Sequence, residues 1–291
     1  MKIKDIVRTV VTETNSYWPF SGLNKLPYYL AIKAFIQHCK KFPEIKSVSR
    51  RSKKIFITVF HDLEPGNGRL GGKIDENIIY KMLEIQRKYR MKATYNIVGK
   101  VCENAPNLIK EIHKRGHELA NHTYNHDIPT LVTKKSLEES ISKCEQVIKE
   151  LTGVKIEGFR SPESKWNQDL LRILGEKGYV WNAEADRSDQ PYYITERLIR
   201  LPITMDDWEY ESKGLSEKAM YNKLKSTLQR GIRKGKYMAF GFHPWIYALK
   251  RERLKVFEEF MSFLANLDKI SVVTFGRAAN LFGEGLKQGA Y

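Results

Sequence analysis

Strand-like runs alternate with helical ones along most of this chain, and the polar residues with chemical potential stand just after the strands. Together these observations predict an α/β protein whose βα units lay down a parallel sheet, either closed as a barrel or left open and doubly wound. At 291 residues the chain is long enough for one barrel-like domain with an extension. We expect a basic N-terminal extension over residues 1–54 and the barrel domain over residues 55–291.

The composition narrows the class. Hydrophobic residues make up 42% and charged residues 29%, which fits a folded globule and excludes a disordered or membrane-embedded chain. Fifty Lys and Arg against 34 Asp and Glu give a net charge of +16, enough to attract phospholipid headgroups, anionic glycans or nucleic acid. No zinc-finger or RNA-binding signature accompanies the charge, so nucleic acid is not favoured. Three scattered cysteines, Cys39, Cys102 and Cys144, argue against a disulfide framework and fit a reducing compartment. Residues 1–14 show no secretory pattern, and no run approaches the roughly 18–20 apolar residues of a membrane span. The expected location is the cytoplasm or the inner face of a membrane.

Taken in order, Leu26–Lys41 reads as a short amphipathic helix with cations toward its C-terminal end. Its expected use is to cap the barrel's open end, with docking on an anionic membrane as the second reading. Lys54–Phe60 is a buried strand by its β-branched and apolar content, broken at His61-Asp62-Leu63-Glu64-Pro65-Gly66. A helix over 75–89 places Ile78, Ile79, Met82 and Leu83 on one side. The alternation continues with a strand at 93–99, a helix over 107–115, a strand leading to His122, and a helix over 135–151 stopped by Gly153. Ile156–Phe159 is a strand, 168–177 a helix, and Tyr179–Trp181 and Leu198–Ile203 are strands. A helix over 216–234, a strand at 237–242, a helix over 251–267 and a strand at 271–274 complete the series.

In a parallel barrel the C-terminal strand ends form one face, where catalytic groups gather. Asp62, Glu64, His122, His126, Arg160 and His243 all fall there. His122 and His126, four apart, would point the same way on one helical turn and grip one ion. A histidine pair needs a third ligand, usually a carboxylate, for a divalent ion with open positions. Strand alternation puts Asp62 and Glu64 on one side, with His61 and Leu63 facing away. One carboxylate can then bind metal while the other stands beside it. The glycines at 66, 68, 71 and 72 lack a Gly-Lys-Ser/Thr ending, so they make no phosphate loop. Ser161 lacks a nucleophile elbow.

Lys92–Gly99 running on to Gly116–His126, Gly158-Phe159-Arg160-Ser161-Pro162, Phe242-His243-Pro244-Trp245 and Val273–Arg277 resemble, in order, motifs of the polysaccharide deacetylase family. The resemblance covers about residues 54–283. It implies a distorted (β/α) barrel of about seven or eight parallel strands. It also implies a single divalent ion, commonly zinc, and hydrolysis of an N-acyl group on an amino sugar. It makes His122 and His126 metal ligands, Arg160 the residue that orients the base, and His243 the acid that protonates the departing amine.

The first motif departs from the family's common Thr-Phe-Asp-Asp-Gly, since it reads Val59-Phe60-His61-Asp62-Leu63-Glu64. Two registers fit: His61 as base with Asp62 as ligand, or Asp62 as base with Glu64 as ligand. The alternation favours the second. The acid that supports His243 is expected at Glu184 or Asp186, with Asp186 preferred.

Tyr124, Trp166, Trp181, Trp208 and Trp245 are candidates to stack on sugar rings or to pack in the core. Without a visible secretory pattern, the expected substrate is an acylated amino sugar on a lipid carrier or nucleotide, or in a glycan. The rival readings are metal-independent hydrolysis of a cyclic amide on the same barrel, and a catalytically silent carbohydrate- or membrane-binding protein.

Overall fold

The computed structural model describes residues 54–66 and 74–287. The amphipathic helix expected at 26–41 and the N-terminal extension, except for Lys54, lie outside those residues. No described helix is long and apolar enough to cross a membrane.

The βα alternation is realised closely. Strand β1 (Ile55–Leu63) is followed by helix α1 (Glu76–Lys88), strand β2 (Thr94–Ile97), helices α2 (Gly99–Asn104) and α3 (Pro106–Lys114), and strand β3 (Glu118–Asn121). Next come helix α4 (Lys134–Thr152), strand β4 (Gly158–Arg160), helix α5 (Gln168–Glu176) and strand β5 (Trp181–Glu184). Two short strands that the periodicity does not reveal, β6 (Tyr192–Tyr193) and β8 (Met205–Asp206), flank strand β7 (Ile199–Pro202). Helices α6 (Trp208–Ser212) and α7 (Glu217–Arg233), strand β9 (Met238–Phe242), helices α8 (Pro244–Leu249) and α9 (Arg253–Ala265), strand β10 (Ile270–Val272) and helix α10 (Phe275–Lys287) complete the chain.

Local signals explain the helix boundaries. Asp75 accepts from the backbone N–H groups of Asn77 and Ile78, and Thr133, Asn167 and Ser216 cap the starts of α4, α5 and α7 in the same way. Gly153 ends α4 in the left-handed region at φ 73°, where a side chain would be strained.

The strands pair in the order β6-β7-β5-β4-β3-β2-β1-β9-β8, with β10 added to β1. Every pairing is parallel except the β6–β7 hairpin. Eight parallel strands, β7 to β8, thus form a curled sheet whose two ends are not hydrogen-bonded to each other, which makes this a distorted (β/α) barrel.

The apolar side chains sort into two layers. One, with Ile57, Val59, Leu63, Ile78, Met82, Leu108, Ile141 and Phe257, joins the sheet to the helices. The other lines the inside of the curl: Phe60, Trp181, Ala183, Leu201 and Tyr237, closed off by Phe275, Ala278 and Phe282 of α10. Among the described residues it is this C-terminal helix that plugs the inner core. Full burial of each such large side chain contributes about 1.5–3 kcal/mol. The inner layer also dictates a glycine: a Cβ on Gly158 would lie 1.9 Å from the Trp181 ring, so β4 can pass that ring only without a side chain.

Candidate metal and catalytic site

The inward face of β1 runs Phe60, Asp62 and, one residue past the strand's end, Glu64. Phe60 belongs to the inner core, and the two carboxylates continue its line to the C-terminal end of the sheet, where both are buried. His61 points the other way. It stacks on Tyr95 at 4.5 Å and accepts a 2.7 Å hydrogen bond at Nε2 from Gln86, deep in the helix-facing core. Burial, chiefly, lowers its pKa to about 3, so it is neutral. The register with His61 as base is therefore incompatible with the geometry.

Glu64 meets both histidines. Its Oε2 lies 2.5 Å from Nε2 of His126 and 3.7 Å from Nε2 of His122. One ligand atom from each of the three residues falls within 4.8 Å of the others. The pair is not presented by a helical turn, as the spacing predicts. β3 ends at Asn121 and residues 122–126 form a loop, with Thr123 at φ 62° and His126 at φ 64°. Two left-handed residues fold the loop back, so that spacing four is reached by a tight bend. Hydrogen bonds hold the bend: the Asn121 side chain accepts from the Thr123 N–H at 2.8 Å, and Thr123 Oγ1 accepts from the Asp127 N–H at 2.7 Å.

His122 Nδ1 lies 2.7 Å from the Arg160 carbonyl, which can only accept. The ring proton is thereby placed on Nδ1 and Nε2 is left as an open lone pair facing Glu64. Trp245 Nε1–H donates to the other Glu64 oxygen at 3.0 Å. Two imidazoles and one carboxylate, oriented by outer partners, form a donor set that suits a divalent ion such as zinc. Burial alone would raise the Glu64 pKa, but the two histidines hold it well below the usual carboxylate range.

Asp62 stands beside this triad. Asn96 Nδ2 donates to its Oδ1 at 2.7 Å, while Oδ2 faces Arg160 Nη2 and His243 Nε2, each at 3.5 Å. Burial favours the neutral acid here too. Arg160, His122 and His243 outweigh it and keep Asp62 ionised. Arg160 is itself anchored, donating from Nη1 to Glu184 at 3.0 Å and to the Ser161 carbonyl at 2.6 Å.

His243 closes the site from the end of β9. Its Nδ1 lies 2.5 Å from Oδ1 of Asp207, and its backbone N–H donates to Oδ2 of the same carboxylate at 2.9 Å. Burial works to lower the pKa of the ring, yet Asp207, and Asp62 beside it, raise it well above the ordinary histidine value.

Asp207 corrects the sequence expectation for the supporting acid. Asp186 accepts instead from the Tyr192 hydroxyl at 2.6 Å and lies 3.6 Å from Arg200, and Glu184 serves Arg160. Asp207 was missed because β8 is only two residues long and merges with the preceding strand in the periodicity. The available signal was Asp207 directly after a strand end, the rule that picked out the other groups. Asn96, at the end of β2, was missed for its lack of a titratable group. Of the aromatic residues, Trp181 and Tyr124 are core, whereas Trp208 is exposed and its ring lies 6.0 Å from that of Trp245.

The polysaccharide deacetylase family matches residues 50–181. A peptidoglycan deacetylase of Helicobacter pylori is 29% identical over 117 residues, 40% of each chain. The chain spans about 30–40% of the length of the first curated relatives it matches. Among solved structures, a candidate polysaccharide deacetylase from Mycobacterium smegmatis superposes with a TM-score of 0.75 at 19% identity, covering 85% of this chain and 96% of that one. An allantoinase superposes with a TM-score of 0.71 at 15% identity, covering 86% and 95%. Such identities establish the shared barrel and nothing beyond it. Residues 50–181 thus match the polysaccharide deacetylase family, and the fold around them is similar to that of a solved structure described as a candidate polysaccharide deacetylase.

Proposed function

We propose that this protein is a metal-dependent hydrolase that removes an N-acyl group, acetyl or formyl, from an amino sugar. The observation that carries the reading is the convergence of two opposed proton carriers, Asp62 and His243, 3.5 Å apart beside the Glu64, His122 and His126 donor set. A divalent ion held by those three residues, zinc being the natural candidate, would polarise the amide carbonyl and acidify water in its coordination sphere.

The remaining chemistry belongs to the chain. Asp62, held ionised, takes the proton from the attacking water at Oδ2, the oxygen that Asn96 leaves free. Arg160, clamped by Glu184, keeps Asp62 in its charged form and fixes its position. As the carbon–oxygen bond forms and the carbon–nitrogen bond breaks, His243 delivers a proton from Nε2 to the departing nitrogen, which is otherwise a poor leaving group. Asp207 retains the proton on Nδ1 and stabilises the imidazolium before transfer. Water, amide and two side chains thus give a carboxylic acid and a free amine, with the proton on Asp62 returned to solvent or to His243.

The metal-independent rival leaves the Glu64, His122 and His126 arrangement without a purpose, and the silent-protein rival leaves the His243–Asp207 pair without one. The test is release of acetate and formate from chitooligosaccharides, nucleotide-linked and lipid-linked N-acyl amino sugars by metal-replete protein. We expect release from at least one class, abolished in Asp62→Asn with the metal retained. Equal release by Asp62→Asn would overturn the mechanism, and release by metal-free protein would restore the metal-independent reading.

A further inference from the structure

Between α7 and the chain segment that carries Asp207 lies a cavity of about 370 Å³ that the proposed chemistry does not use. Lys223, Thr227, Arg230, Gly231 and Lys234 face it, at spacings that place them on one side of α7. Helix and sheet approach closely there, since a Cβ on Gly231 would lie 2.0 Å from the Met238 sulfur. Arg187 and Lys236 add two further cations to the lining.

The lining carboxylates are already engaged. Asp189 pairs with Lys236, Glu209 with Lys213, and Asp186 is held by the Tyr192 hydroxyl and Arg200. Lys223, Arg230 and Lys234 form no ion pair among the described residues. Arg230 has only the Thr227 hydroxyl, at 3.3 Å from Nη2. Arg230 and Lys234 are one helical turn, about 6 Å, apart. Converging unpaired cations around a concave space repel one another, and an anion placed between them relieves that repulsion. The deacylation site instead gathers carboxylates, Asp62, Glu64, Glu184, Asp206 and Asp207, around Arg160, His243 and the metal-ligating histidines.

Pro202–Met205 line the cavity, and the next two residues are Asp206, 4.0 Å from Arg160, and Asp207, the partner of His243. We propose that this cavity binds the phosphate or diphosphate group of the substrate, so that the amino sugar deacylated here is one carried on a phosphate ester. The binding site stands on its own observations, whereas its link to substrate rests on the deacylase reading above. The cavity supplies cations for an anionic group of the substrate at a place separate from the scissile amide. A nucleotide-linked and a lipid-linked sugar share this chemistry.

Titration calorimetry of the full chain with inorganic pyrophosphate at low salt tests the site. Arg230→Gln/Lys234→Gln should weaken binding about tenfold, the equivalent of one charge-assisted hydrogen bond. Lys110→Gln/Lys114→Gln, an exposed pair on α3, should leave it within about twofold if net charge alone contributes little. No pyrophosphate binding, or equal weakening in both variants, would overturn the proposal. In kinetics, Arg230→Gln/Lys234→Gln should raise KM for a phosphate-linked N-acyl amino sugar with kcat unchanged, and should not alter a chitooligosaccharide. The responding substrate, nucleoside diphosphate or polyprenyl diphosphate, identifies the source. A duplex DNA oligomer bound more tightly than pyrophosphate and lost in the same variant would overturn the substrate assignment. Pyrophosphate binding without deacylation of any substrate would keep the anion site and refute the catalytic reading instead.

Discussion

Asp207→Asn isolates the step assigned to His243. The carboxylate and the ring are 2.5 Å apart at their nearest atoms and both are buried. At that distance, shielded from water, the carboxylate strongly favours the charged form of the ring. Asp207 is the foremost of the groups that raise the His243 pKa, so loss of its charge lowers that pKa. A general acid works only while protonated, so activity falls as pH rises through its pKa. The alkaline limb of kcat/KM for acetate release should therefore move acidward in Asp207→Asn. At neutral pH turnover should drop about 10²- to 10³-fold, within the range for loss of a general acid. Asn preserves size and one hydrogen bond, and thermal melting checks that the fold is kept. Asp186→Asn, whose carboxylate serves Tyr192 and Arg200, should leave the limb in place. An unmoved alkaline limb in Asp207→Asn, or an equal shift in Asp186→Asn, would refute the assignment.

His61→Phe should keep metal and turnover, because His61 lies on the helix-facing side of β1. Its cost is the Gln86 side chain left without an acceptor, about 1–3 kcal/mol by denaturant titration; loss of metal would reopen the other register. His61 and His117 also set an acid limit on stability. Burial first, and neighbouring charges second, lower their pKa values to about 3 and about 4 from 6.5. Between those values the unfolded chain binds more protons than the folded one, so the stabilisation is present above pH 6.5 and is lost as pH falls toward 4. The loss is about 2–3 kcal/mol per histidine. In thermal melts from pH 7 to 4.5, His117→Gln should show a shallower fall than the parent chain, and an identical slope would contradict this origin.

How much of this was legible in the sequence follows from what each signal depends on. The barrel was readable because β1, β3, α4 and α7 carry strong periodicity and end at Gly, Pro or Asn/Ser caps. The side of β1 that bears Asp62 and Glu64 followed from alternation alone, since a nine-residue strand keeps its phase. The conformation of His122 and His126 did not, because two non-glycine residues in the left-handed region leave no mark in composition. Asp207 was hidden by a strand of two residues whose pairing with β9 is a tertiary event. The inner plug of α10 was likewise invisible, as Phe275 and Phe282 read like any amphipathic helix until the sheet they fill is known.

Zinc binding to metal-stripped protein, measured by titration calorimetry in the parent chain, Glu64→Ala and Asp62→Asn, tests the assignment of Glu64 and Asp62 most directly. The geometry leads us to expect about one ion per chain, affinity lowered more than about tenfold in Glu64→Ala, and affinity retained in Asp62→Asn. Full-affinity binding by Glu64→Ala, together with its loss in Asp62→Asn, would contradict the site described here.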